Sequence, residues 1–196
     1  MTTEDARNQF LIEMYKAMWD NVNRHIGVIW HSITVLVGAG AVFGLVQRQV
    51  IPIDFAITLI VIVAAWQLAH VYDASYWVNR NLLIIRNLEC QFLRASDLRE
   101  IHYYFGRLRQ NKMIEHFQIQ FTLGVAVGVL ALLYHVLNQG WPVGRSPKEL
   151  MKALPYLVAL VGAIFVAWIG RRHADSYAKL LAASPGAAVA QQKVAE

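Results

Sequence analysis

The chain has 196 residues, 57% of them hydrophobic and 16% charged, with a net charge of +5 and a mean hydropathy of +0.37. Soluble domains carry about 25% charge; here the deficit is gathered into four long apolar runs, which excludes an ordinary water-soluble domain. The single cysteine, Cys90, excludes a disulfide within the chain.

The first element is residues 4–25, "EDARNQFLIEMYKAMWDNVNRH", which reads as an amphipathic helix. Phe10, Met14, Met18 and Val22 recur every four residues, with Leu11, Tyr15 and Trp19 beside them. The first apolar run follows, Ile26–Val46, "IGVIWHSITVLVGAGAVFGLV". Its 21 residues match the roughly 20 that a helix needs to cross a bilayer. It does not read as a signal peptide: Glu4, Asp5, Glu13 and Asp20 precede it, and the run is longer than the roughly 7–15 residues of a signal's apolar core. On this run His31, Thr34 and Gly38 share one helical face, and Gly40 and Gly44 have the four-residue spacing of close helix contacts.

The second run extends over about Ile51–Tyr72, and helical spacing continues past it. "SYWVNRNLLIIRNLECQFLRAS" holds no Pro or Gly, and Leu82, Ile85, Leu88 and Phe92 keep the period. This predicts one near-continuous helix from about Phe55 to Ala95, roughly 60 Å long and about twice the hydrocarbon thickness. Residues 73–116 would then form a cytoplasmic helical stalk offering a surface to a cytoplasmic protein partner. Ser96 is the expected N-cap of a short helix, "DLREIHYYFGRL", with Asp97 and Glu100 in its first turn.

The third run is Phe117–Leu137, with Gln120, Gly124, Gly128, Ala131 and His135 in one small and polar stripe. A Gly/Pro-rich outer loop, "NQGWPVGRSPKE", leads to the fourth, Leu154–Gly170, and the small, polar tail from Ala182 is expected to be disordered. None of the runs alternates polar and apolar residues, so helices rather than barrel strands satisfy the backbone in lipid.

The expected fold is therefore an all-α membrane protein. It has four transmembrane helices, an N-terminal amphipathic helix and a cytoplasmic helical stalk between spans 2 and 3. The segments are 1–25 (interfacial helix), 26–72 (first hairpin), 73–116 (stalk), 117–170 (second hairpin) and 171–196 (tail). Of the 18 Lys and Arg, all but Arg48, Arg145, Lys148 and Lys152 fall on one side of this arrangement. Basic segments stay cytoplasmic, which puts both termini inside a bacterial inner membrane. The topology rule and anionic headgroups account for the positive charge without nucleic acid.

The end of the second span is echoed at the end of the fourth: "AWQLAHVYDASY" and "AWIGRRHADSY". Each orders Trp, His, Asp and Ser-Tyr, and His25 and His116 stand just before the first and third runs. Amphipathic Trp, Tyr and His suit headgroup anchoring. The sharper expectation is a ring or gate at a cytoplasmic mouth, formed by His25, His70, His116 and His173 with Asp73, Glu115 and Asp175. Within the spans, His31, Thr34, Gly38, Gly40, Gly44, Gln120, Gly124, Gly128 and His135 are candidates for helix packing, a subunit interface or a pore lining.

Chemistry is otherwise sparse. No Glu-x-x-His pair of a carboxylate-bridged metal site is present, and His31 and His135 lie at opposite ends of their runs, which does not suit bis-histidine haem. Arg109 and His116 have the spacing of some nucleases, a pattern that 18 basic residues and 7 histidines produce by chance. Phosphate-binding glycine loops, nucleophile elbows and Cys/His metal patterns are missing from the sequence. The expectation is no catalytic residue, no metal and no cofactor.

The lead "NQFLIEMYKAMWDNVNRHIGVIW" and the run of the second span into "SYWVNRNLLIIRNLECQFL" give a layout that resembles small bacterial membrane effectors of anti-phage systems, including the SMODS-associated two- and four-helix groups. The resemblance covers roughly residues 8–135 and is architectural. It implies a homo-oligomeric channel or membrane-permeabilising effector in antiviral defence, with the lipid bilayer and further copies of the chain as partners. It transfers no catalytic residue. The chain departs from relatives that append a recognisable ligand-binding domain, so control by a nucleotide is not implied. A non-conducting assembly or regulatory membrane subunit is the alternative, with a metal-dependent membrane enzyme behind it.

Overall fold

The computed structural model describes residues 2–93, 96–97, 111–144 and 146–184, the side chains at 35 and 36 excepted. It contains four long helices: α1 (Thr3–Gln47), α2 (Ile53–Phe92), α3 (Glu115–Gln139) and α4 (Pro147–Ala182). Each is long and apolar enough to cross a membrane. The short helix expected after Ser96, apart from Ser96 and Asp97, and the tail beyond 184 lie outside the described residues.

The helix ends follow local chemistry. Thr2 caps α1: its hydroxyl accepts the Asp5 backbone N–H at 3.1 Å, and the Asp5 carboxylate accepts the Thr2 N–H at 2.8 Å. Those two Thr2 contacts, the backbone one first, hold the Asp5 carboxyl below its ordinary range. The sequence places a boundary near residue 25, between amphipathic helix and span, but α1 runs through it unbroken. No Pro stands there to remove a ladder hydrogen bond, and both segments share the helical period. The helix closes at Gln49, which takes φ +59°. Gln49 N–H then bonds Val46 O, and Val50 N–H bonds Leu45 O, the paired closure of a left-handed helix end. Pro52 follows and opens α2.

α2 continues through 70–87 without interruption. α3 ends at Gly140, which at φ +70° returns its N–H to Val136 O at 2.9 Å. α4 starts from Ser146, whose hydroxyl accepts the Glu149 N–H, with Pro147 as the first helical residue. Lys152, 3.0 Å away, and the Val143 N–H hold the Glu149 carboxyl below its usual range. α4 carries Pro155 inside it and reaches Ala182, so the helix extends past the fourth apolar run through residues 171–182.

The chain divides into two compact units. The first comprises Met1–Gly27, Ala74–Lys112 and His173–Glu196; the second comprises Val28–Asp73 and Met113–Arg172. In the first unit, Val22 of α1, Val78, Leu82, Leu83, Ile85 and Leu88 of α2 and Tyr177 of α4 are buried. Tyr15 donates to Glu89 at 3.2 Å, and Asn87 and Ser184 exchange two hydrogen bonds. In the second unit, Ile57, Ile60 and Val61 of α2 form a core with Ala39 of α1 and Ala131 of α3, and Val158 and Ala159 of α4 pack against it. α2 is the most enclosed helix: half of its most apolar window is buried, against 19%, 22% and 11% for α1, α3 and α4.

Candidate functional site

The second unit exposes many large apolar side chains and buries a few polar ones beside its apolar core. Leu123, Val129, Leu130 and Leu133 of α3 and Leu157, Leu160, Val161, Ile164 and Phe165 of α4 are exposed, whereas Gln67, Gln120 and His135 are buried. This reverses the ordinary preference of those residue types. Three features of the second unit bear on function.

The first is a hydrogen-bonded clasp. His135 of α3 is fully buried. Its Nε2 lies 2.8 Å from Asp54 Oδ1 at the start of α2, and its Nδ1 lies 2.8 Å from the Tyr156 hydroxyl of α4. A neutral imidazole protonated on Nε2 satisfies both neighbours at once, donating to Asp54 and accepting from Tyr156. Trp141 packs over Tyr156 with ring centroids 4.9 Å apart. The sequence singles out His135 but not its partners, which stand 81 and 21 residues away. The signal that could have found Asp54 is its position as an acidic residue within the apolar run 51–72.

The second is an amide pair. Gln67 Nε2 donates to Gln120 Oε1 at 3.3 Å, while Gln67 Oε1 and Gln120 Nε2 have no partner. Gly124 brings α3 onto α2 here: a Cβ at Gly124 would stand 3.1 Å from Leu68 Cδ2, and one at Gly128 would stand 3.5 Å from Ala64 Cβ. Gln120, Gly124, Gly128, Ala131 and His135 thus form the seam of α3 with its neighbours. Gly162 does the same for α4, where a Cβ would lie 2.8 Å from Ala65 Cβ.

The third is the exposed surface of α1. Gly38, Gly40 and Gly44 are exposed and have nothing within 4 Å of a built Cβ. His31 and Thr34 are exposed on the side of Gly38, away from that of Gly40 and Gly44, and the Thr34 hydroxyl donates back to His31 O.

The histidines of the expected mouth each meet an aromatic ring. In the first unit, His25 stacks on Trp77 at 6.2 Å and His173 on Tyr76 at 4.6 Å. In the second, His70 stacks on Trp66 at 5.1 Å, and His116 is tilted against Trp30 at 6.2 Å. Asp73 is half-buried, whereas Glu115 and Asp175 are exposed. The two echoed histidines occupy different environments. His70 lies one helical turn after Trp66, and the place one turn after Trp168 belongs to Arg172, whose guanidinium sits 5.4 Å from that ring. Among the described residues no group of three or more His, Cys, Asp or Glu is arranged to hold a metal ion. An open crevice of about 640 Å³ is lined by Gln49, Asn138 and Gln139 among apolar residues, without a charged group.

Comparison with protein-family models, with curated proteins and with solved structures finds no match to this chain.

Proposed function

We propose that the protein is a multi-pass membrane protein that assembles with copies of itself into a channel or membrane-permeabilising pore. The observation that carries this reading is the exposed surface of α1, which carries His31, Thr34 and Gly38 on one side and Gly40 and Gly44 on another, amid large apolar side chains. Lipid tails are as apolar as Leu, so the exposed Leu, Ile, Val and Phe of α3 and α4 are suitably solvated by a bilayer. Association in lipid instead uses small residues that let backbones approach, and polar groups turned from lipid. Gly124, Gly128 and Gly162 are already taken up by seams within one chain; those of α1 are not. Packing α1 faces around a closed symmetric ring would cover the glycines and turn His31 and Thr34 toward a water path. In an antiviral setting such a pore would act on the cell's own inner membrane.

The test is ion flux from liposomes containing the purified chain, with oligomeric mass measured in parallel. Gly40→Leu and Gly44→Leu should reduce assembly and flux together by about tenfold or more, the loss of one tight helix contact in lipid. His31→Ala should alter conductance while leaving the mass unchanged. A chain that assembles without flux is a non-conducting membrane subunit; a chain that remains monomeric and silent in lipid defeats the proposal.

A further inference from the structure

Arg86 lies on α2 in the first unit and is 4% exposed. Its Nε and Nη1 are buried and make no hydrogen bond. A guanidinium presents five donors, so burying two of its nitrogens without acceptors is a costly arrangement for a protein to keep. Three polar groups along α2 are engaged elsewhere. Asn79 donates to Asn111 and to the Lys112 carbonyl, Asn87 is held by Ser184, and Glu89, one turn on, accepts from Tyr15. The first unit therefore encloses a guanidinium without satisfying these two nitrogens from its described residues.

We propose that Arg86 binds a compact phosphate-bearing anion inside the first unit. Guanidinium donors match tetrahedral oxyanions in both charge and direction. The phosphate could belong to a soluble molecule or to a lipid headgroup, and helix geometry favours the soluble source. From Tyr72, the end of the apolar run, to Arg86 is about 20 Å of continuous α2. The headgroup layer adds only about 5–7 Å on each side of the hydrocarbon. This site does not depend on pore formation.

The experiment is thermal unfolding of the full chain in neutral-lipid nanodiscs, with inorganic phosphate titrated against chloride at matched ionic strength. A parallel arm uses nanodiscs containing phosphatidylglycerol and no added phosphate. Saturable stabilisation of roughly 3–5 °C is expected once phosphate exceeds its dissociation constant about tenfold. Arg86→Met should abolish the shift, Arg86→Lys should weaken it, and Arg171→Met should retain it. Should Arg86→Met fail to fold, the ³¹P line broadening of phosphate by wild type against Arg86→Lys gives the same comparison. A shift only with phosphatidylglycerol would support the site and assign it to lipid. Absence of any shift in wild type, or an equal shift without Arg86, would overturn the proposal.

Discussion

At the scale of single residues, the polar groups held inside α-helical packing carry the most testable energetics. His135 is bonded on both ring nitrogens and fully buried, so removing it strands a carboxylate and a hydroxyl. His135→Ala should cost about 3 kcal/mol, whereas Tyr156→Phe, which deletes one hydroxyl, should cost about 1 kcal/mol. Denaturant titration of the two variants and their double mutant in detergent micelles checks both values and their coupling. Glu89 gives a prediction of opposite character. Burial raises its carboxyl above the ordinary 4.5, and the Tyr15 hydrogen bond offsets part of that rise. The folded state then binds the proton more tightly than the unfolded state, so stability falls as pH rises from 4.5 through the raised value. Glu89→Gln keeps an acceptor for Tyr15 and removes the charge. It should raise the unfolding temperature at neutral pH and flatten the profile; an unchanged pH profile would contradict the assignment.

At the scale of elements, the same residue type performs different work according to its surroundings. Gly162 leaves 2.8 Å for a methyl group against Ala65, so Gly162→Ala must push α4 off α2, at about 1–3 kcal/mol. Gly38→Ala on the open face of α1 meets nothing within 4 Å and should leave monomer stability unchanged or slightly raised. Unfolding midpoints measured side by side in micelles check the contrast. The helix ends behave similarly. Gln49 holds a left-handed conformation without being glycine, so Gln49→Gly should stabilise the α1–α2 turn by about 0.5–1 kcal/mol, whereas Gly140→Ala should cost about 1 kcal/mol. The echo between the second and fourth runs also belongs to this scale. Its Trp-His order is visible in the letters, but the i+4 spacing that lays a side chain over the indole selects His70 in α2 and Arg172 in α4.

At the scale of the whole molecule, the distribution of Lys and Arg predicts an orientation, and the exposed apolar surface of the second unit predicts a lipid surrounding. All but four of the 18 basic side chains lie in the three segments outside the spans on one side of the predicted topology. A fluorescent reporter that matures only in the cytoplasm, fused after Lys193, should therefore be bright, and the same reporter placed between Arg48 and Ile51 should be dark. The reverse pattern would invert the topology. The exposed Leu, Ile, Val and Phe of α3 and α4 further predict that the chain partitions with membranes and aggregates when detergent is removed.

The sequence by itself determined the four apolar runs and that each is carried by a helix. That property is local, being hydropathy summed over about 20 residues. The continuity of α2 was legible for the same reason, since nothing between 70 and 92 breaks the period. Only the tertiary structure decided how each helix is rotated about its axis and which face meets which neighbour. Periodicity placed His135 and Gly124 on one stripe, but not against Tyr156 and Leu68. In apolar helices, hydropathy scarcely separates a face turned to other helices from a face turned to lipid, because both are lined by similar side chains. The pairing of Asp54 with His135, the unmet donors of Arg86 and the unused glycines of α1 follow from non-local packing, and only the folded chain brings those groups together or leaves them open.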